Sequence, residues 1–117
     1  MRQGEIYLVN FKKRYNSEFG KVRPALVLQN DFFNRAIEER IYRNVLVVPL
    51  STQPIEDDYR IFISKRQRLE KDSYIVVNWV CTLDIDHVLI DEGVVATISE
   101  EEFAKVQKKL CEIIQRR

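Results

Sequence analysis

Cysteine, histidine, glycine and proline are scarce in this 117-residue sequence, which has two, one, three and three of them. Cys81 and Cys111 form no Cys-x-x-Cys pair, so we expect neither a disulfide scaffold nor a structural zinc site. Repeats, low-complexity segments and linkers are also missing. We therefore expect one compact domain over residues 1–117.

Long apolar runs are equally absent, and the N-terminal residues 1–5 lack the apolar stretch of a signal peptide. We expect a soluble, cytoplasmic protein without a membrane partner. The net charge of +1 does not by itself predict a nucleic-acid partner. Charge is uneven, however: residues 1–71 hold fourteen basic and nine acidic residues, and residues 72–117 hold five and nine. This distribution indicates one cationic face unless the fold interleaves the two halves.

Residues rich in β-branched and aromatic types predict a series of short strands. These strands cover 5–11, 24–29, 44–50 and 59–64, with a long β-prone segment at 73–83 and one or two short strands within 88–98. The run at 44–50 is apolar enough to be buried on both faces, and Pro49 inside it predicts a bulge or a stop in pairing.

Two segments have helical character. A short helix or irregular excursion is expected over 30–40, with Asn30 or Asp31 as its N-cap. Ser99 and Glu102 form a capping box that begins a C-terminal helix. Its apolar stripe is expected to pack on the sheet and consists of Phe103, Val106, Leu110, Ile113 and Ile114. The pattern predicts an α+β domain, mainly β, with a strongly curved antiparallel sheet forming a partial barrel.

The most informative stretch is 16–34, where a charged loop leads into an apolar strand. Pro24 suits the first position of a strand and restricts Arg23 to extended geometry at the sheet rim. Gly20 lets the loop turn, and Glu18 is close enough in sequence to orient the guanidinium. We interpret this stretch as a site for an anionic ligand.

Further polar residues stand at ends of strands and in loops. The hydroxyls of Ser51 and Thr52 follow a buried strand, and Asn78 interrupts the segment 73–83. The basic loop 65–71 is typical of a solvated turn. His87, a lone histidine in a turn, is typical of a surface residue or of one that forms a local hydrogen bond.

Taken together, these motifs resemble the MazF/PemK family of toxins from toxin–antitoxin pairs over nearly the whole chain. The resemblance lies in an ordered set: Gly4, Glu5, Ile6 and Tyr7; Ser17 and Glu18; Arg23 and Pro24; Gln29, Asn30 and Asp31; and the strand that ends at Ser51, Thr52 and Gln53. It implies an SH3-like barrel with a C-terminal helix, a homodimer, and metal-independent, sequence-selective cleavage of single-stranded RNA. It also implies a cognate antitoxin with an acidic, flexible segment, and no cofactor.

The resemblance carries three catalytic residues over to this chain: Arg23, the strand-end hydroxyl of Ser51, and Glu18. RNA binding is expected from Lys12, Lys13, Lys21, Thr52, Gln53, Asn78 and Trp79. The family usually has Thr in place of Ser51, and either hydroxyl donates to a phosphate oxygen. It also commonly has Asp and Arg where this chain has Asn78 and Cys81.

The expected chemistry is attack of the RNA 2′-hydroxyl on the adjacent phosphate, with Arg23 and Ser51 donating to the phosphorane oxygens. Proton removal is assigned to Glu18, to water, or to an arginine perturbed by its site. Two alternatives stay open. One is a family member that binds RNA or antitoxin with little or no cleavage, and the other is a poison of a protein target, as in the CcdB gyrase inhibitors.

Overall fold

The computed structural model describes residues 1–11, 22–55 and 57–117. The strands in this part of the chain are β1 (Glu5–Asn10), β2 (Val22–Val27), β3 (Asn44–Ser51), β4 (Arg60–Ile63), β5 (Ser73–Val76), β6 (Cys81–Asp84) and β7 (Val94–Thr97). The α-helices are α1 (Asp31–Glu38) and α2 (Glu100–Ile114). Short 3-10 turns cover Val77–Trp79, Ile85–His87 and Ile90–Glu92. No helix in these residues is long and apolar enough to cross a bilayer.

The strands form one curled antiparallel sheet in the order β4-β5-β3-β2-β1-β7, with β6 also paired to β3. The sheet is a half-barrel, and α2 is the C-terminal helix. The predicted α+β, mainly β class with a strongly curved sheet is therefore confirmed.

The central strands are buried on both faces. Alternate residues of β3 enter two apolar clusters: Val48 and Leu50 join the one that contains Val106 of α2, whereas Val45 and Val47 join the other. Successive side chains of a strand point to opposite faces, so a strand covered on both sides must be apolar throughout. This confirms the burial expected for the run at 44–50.

Strand β3 changes partners along its length. Residues 44–47 pair with β6, whereas Leu50 and Ser51 pair with Ile75 and Tyr74 of β5. Pro49, which has no N–H to donate, lies between the two pairings. On this side of β3 the pairing stops at Val47 and resumes at Leu50, whereas on the other side Pro49 stays paired with Ala25 of β2. The change of partner places the end of β3 beside the start of β5.

The β-prone segment 73–83 is not one continuous element. A 3-10 turn at Val77–Trp79 divides it into β5 and β6, which both pair with β3 but at different positions. Strand propensity reports how well side chains fit a pleated surface and does not reveal where the sheet turns a corner. Asn78 lies in this turn.

Each α-helix begins at a predicted cap. Asn30 Oδ1 accepts from the Phe33 amide at 3.2 Å, and the capping box of α2 joins Ser99 and Glu102 in both directions at 2.9 and 3.1 Å. The apolar stripe of α2 packs only in part. Val106 is buried and Phe103 and Leu110 pack against the core, but Ile113 and Ile114 are exposed, Ile114 by 72%. The last turn of α2 thus does not pack on the sheet as expected.

Candidate active site

A pocket of about 480 Å³ opens where β2 begins, β3 ends and β5 begins. Its apolar lining has two sources. Four residues belong to the core cluster under α2 or pack against it, and two more come from β2. These are Leu8, Leu50, Leu69 and Val95, with Val22 and Pro24. Its polar lining consists of Arg23, Ser51, Thr52, Arg68, Glu70, Lys71 and Ser73.

Arg23 reaches this pocket from a strand that begins earlier than expected. Strand β2 starts at Val22, so Pro24 lies inside it, opposite Leu8 of β1. The pairing of β2 with β3 starts only at Ala25. Pro24 therefore lies in a stretch that pairs with β1 alone, where a missing N–H is tolerated. The half-buried Arg23 directs Nη1 toward the Leu50 carbonyl oxygen at 3.4 Å.

Ser51 is the last residue of β3 and is 1% exposed. Its Oγ accepts from the Gln53 amide at 3.2 Å, which fixes the oxygen while its hydrogen is left for donation to a ligand. The neighbouring Thr52 lines the same pocket and is exposed. The structure therefore brings Arg23, Ser51 and Thr52 together at one pocket, as expected if they act on one anion.

The sequence interpretation missed the contribution of the turn 65–71. Arg68, Leu69, Glu70 and Lys71 line the pocket, so this turn is a wall of the site, although its composition is typical of an ordinary solvated turn. The available signal was its cluster of basic residues, but only the pairing of β3 with β5 brings the turn next to Ser51. Among the lining residues that the structure describes, Arg23, Arg68 and Lys71 face a single carboxylate, that of Glu70.

Other predicted RNA-binding residues lie elsewhere or outside the described residues. The side chain of Gln53 is exposed and does not line the pocket. Asn78 is exposed in the 3-10 turn, and the half-buried Trp79 has the Arg60 guanidinium carbon 5.4 Å from its ring centroid. Lys12, Lys13, Glu18 and Lys21 fall outside the residues described, so their predicted roles remain predictions.

Three other features bear on the chemistry of this region: metal binding, the thiol of Cys81 and the imidazole of His87. In the part of the chain that the structure describes, no cluster of His, Cys, Asp and Glu has the arrangement of a metal site. Cys81 is half-buried, and burial raises the pKa of its thiol, which keeps the thiol neutral. His87 is half-buried against the end of β1, with Nδ1 3.0 Å from the carbonyl oxygen of Asn10. This hydrogen bond joins residues far apart in the chain and is not the local one expected from a turn.

A half-barrel that carries an arginine and a hydroxyl at neighbouring strand ends is a candidate anion-binding or phosphoryl-transfer protein. Comparison with known proteins is more specific. The family described as PemK-like, MazF-like toxin of type II toxin–antitoxin system matches residues 2–114. The chain belongs to this family, which confirms the resemblance carried by its motifs.

Relatives with curated names agree with this membership. The chain is 34% identical over 88 residues to endoribonuclease EndoA of Bacillus subtilis, a match that covers 72% of this chain and 71% of that protein. Among solved structures, MazF of Deinococcus radiodurans superposes with a TM-score of 0.72 at 18% identity, covering 97% of this chain and 96% of that one. A mycobacterial endoribonuclease in complex with its cognate antitoxin gives a TM-score of 0.71 at 17% identity over 96% of this chain and 92% of that one. At these identities the two structures show the shared fold.

Proposed function

We propose that this protein is an endoribonuclease toxin that cleaves single-stranded RNA by attack of a 2′-hydroxyl on the adjacent phosphate. The observation that carries the proposal is that Arg23 and Ser51 line one pocket at adjacent strand ends. Family membership and the name of the Bacillus subtilis relative supply the reaction class. We expect sequence-selective cleavage in the cytoplasm.

The reaction needs few protein groups, because the nucleophile belongs to the substrate. The 2′-oxygen bonds to phosphorus, the bond to the 5′-oxygen breaks, and the products are a 2′,3′-cyclic phosphate and a free 5′-hydroxyl. Arg23 offers paired, permanently charged donors to the non-bridging oxygens, and Ser51 adds one hydrogen bond from a fixed position. When Arg23 and Ser51 both contact one phosphate, the nucleotides on either side of it are aligned for in-line attack.

Two protons must move during this reaction, one from the 2′-hydroxyl and one to the leaving 5′-oxygen. A guanidinium is a poor base because its pKa is above about 12. Glu18 is the base that the family resemblance suggests, and Glu70 supplies a carboxylate at the pocket itself. Both are carboxylates, a residue type that acts as a general base in enzymes.

The proposed partners follow from the same relationship. The solved mycobacterial relative is bound to its cognate antitoxin, and the Deinococcus radiodurans MazF was also solved with MazE. We propose that a cognate antitoxin with an acidic, flexible segment neutralises this chain by covering the cationic pocket. We also propose that the chain forms a homodimer.

The decisive experiment is cleavage of a mixed-sequence single-stranded RNA in EDTA by the wild type, Arg23→Ala and Arg35→Ala. Arg35 is an exposed residue of α1 outside the pocket and serves as the matched control. Loss of one strong transition-state contact lowers kcat by about 100- to 1,000-fold, so we expect that loss in Arg23→Ala alone. A 2′-deoxy nucleotide at the cut site should block cleavage. Equal activity of both variants would exclude Arg23 from the chemistry.

A second candidate function is binding without efficient cleavage, which Asn78 and Cys81 favour. Asn cannot accept a proton as the Asp common at its position can, and the neutral Cys81 thiol replaces a cation. Restoring the carboxylate with Asn78→Asp distinguishes the two candidates. Cleavage that appears only in this variant would identify the wild type as a binding protein, and cleavage already present in the wild type would reject that candidate.

A further inference from the structure

We infer that Lys71 binds a phosphate of the substrate strand and that the turn 65–71 is its rigid support. This inference rests on the proposed function and extends it to a wall of the pocket that the family motifs do not include. Lys71 lines the same pocket as Arg23, Ser51 and Thr52.

The sheet order places Lys71 across the pocket from Arg23. Strands β2 and β5 lie on opposite sides of β3, which ends at Ser51. Two strand spacings separate the start of β2 from the start of β5, which is about 10 Å. Lys71 precedes β5 by two residues, and its long side chain therefore reaches toward the volume that Arg23 also faces. An extended polyanion laid over Ser51 meets a cation on each side.

The turn is held in place by hydrogen bonds at several positions. Arg66 donates to both carboxylate oxygens of Glu102 at 2.5 and 2.7 Å, and the Thr97 amide donates to Gln67 Oε1 at 2.7 Å. Nearer to Lys71, the buried Ser73 donates its hydroxyl to the Lys71 carbonyl oxygen at 2.9 Å. A cation on such a support loses less conformational entropy on binding than one on a loose loop.

Arg68 is a weaker candidate for the same role because its guanidinium is already engaged. Its Nη1 donates to the carbonyl oxygens of Glu92 and Val94 at 2.8 and 3.1 Å, which ties the turn to β7. The ammonium of Lys71 is exposed and forms no ion pair with any residue that the structure describes. Its three donors are thus available to a ligand.

The test compares Lys71→Gln with Lys65→Gln, a change of the same charge in the same turn but outside the pocket. Affinity is measured with an RNA oligonucleotide made uncleavable by 2′-deoxy substitution, as a function of salt, and KM and kcat are measured with the cleavable RNA. We expect Lys71→Gln to weaken binding about tenfold at low salt and to reduce the slope of log K against log salt by about 0.7, with kcat changed little. Lys65→Gln should behave as the wild type in slope.

Failure of this inference is distinct from failure of the proposed function. If the wild type cleaves RNA but Lys71→Gln and Lys65→Gln have equal affinity and equal salt slopes, Lys71 does not bind phosphate. If the wild type cuts no RNA at all, the proposed reaction fails, and a lower salt slope in Lys71→Gln still identifies a phosphate contact. A tenfold fall in kcat with unchanged binding would also contradict the inference.

Discussion

The two halves of the turn 65–71 both contain basic residues, but their side chains make different contacts. In residues 66–68, here called the clamp half, each side chain bonds to β7 or α2: Arg66 to the Glu102 carboxylate with two donors, Gln67 to Thr97, and Arg68, which also borders the pocket, to Val94. In residues 69–71, here called the pocket half, the side chains line the cavity that Arg23 and Ser51 also line. Only four residues of the chain separate Arg66, which is held by a carboxylate, from Lys71, which lines the open pocket.

This difference means that basic composition alone does not reveal function. A guanidinium that already has a bidentate carboxylate partner stabilises the fold and has little left for a phosphate. An ammonium without such a partner contributes little to stability and is available to bind. Substitutions in the clamp half should therefore change the free energy of unfolding, and substitutions at the pocket should change RNA affinity or kcat.

The largest effect among the following predictions is expected for Ser51→Ala. Removal of a fixed donor to the phosphorane should lower kcat about 10- to 100-fold, because the hydrogen bond is strongest in the transition state. The measurement is single-turnover cleavage at saturating RNA. Ser51→Thr is the matched control and should retain activity, since it keeps the hydroxyl.

Loss of activity in Ser51→Ala must be separated from loss of fold, because Ser51 is buried. Urea unfolding of both variants provides that separation. If Ser51→Ala unfolds like the wild type and still cleaves at the wild-type rate, the hydroxyl has no part in the reaction.

Much of the fold could be predicted from the sequence because its signals are local. Pro49, which lies where β3 changes partner, and the cap residues Asn30 and Ser99 each act within a few residues of their own position. The turn at Val77–Trp79 was missed because a continuous β-prone run gives no local sign of where the sheet turns. The exposed end of α2 was missed because amphipathic spacing indicates a face and not how far the covering strands extend.

The candidate site was predictable only in part for the same reason. Arg23 is marked by the proline after it, and Ser51 by its place at the end of an apolar run. Lys71 has no such mark, because it reaches the pocket through the pairing of two strands that are more than twenty residues apart in the chain. The network of the clamp half is likewise set by tertiary contacts and was not expected.

The second prediction concerns the clamp half, through Glu102→Gln. Arg66 donates to Glu102 with both side chains under a quarter exposed, and this hydrogen bonding lowers the pKa of the Glu102 carboxyl to about 2. A carboxyl with a depressed pKa stabilises the fold above its unfolded pKa, here about 4.5. After a discount for solvent screening, neutralising it should cost about 2 kcal/mol of unfolding free energy at pH 6, measured in urea.

Glu101→Gln is the control for this prediction, because Glu101 lies in the same first turn of α2 and forms no ion pair with any residue that the structure describes. It should cost well under 1 kcal/mol. The difference in stability between wild type and Glu102→Gln should shrink as the pH falls from about 4.5 toward 2, where Glu102 itself becomes protonated. A pH-independent difference would show that the charge of Glu102 does not provide the stability. RNA affinity at pH 7 should be the same in both variants.

The smallest effect is expected at Ser99, the other partner of Glu102. Ser99→Ala removes the hydroxyl that accepts from the Glu102 amide at 3.1 Å and should cost about 1 kcal/mol in the free energy of unfolding. Ser99→Asn keeps a capping oxygen and should restore most of that loss. Because Glu102→Ala removes both the Arg66 contact and the acceptor of the Ser99 amide, the double variant Ser99→Ala/Glu102→Ala should lose less than the sum of the losses in its two single variants. Additive losses would mean that the helix cap and the contact between Arg66 and Glu102 stabilise the fold independently. In that case the clamp half binds α2 without helping to fix the first turn of the helix.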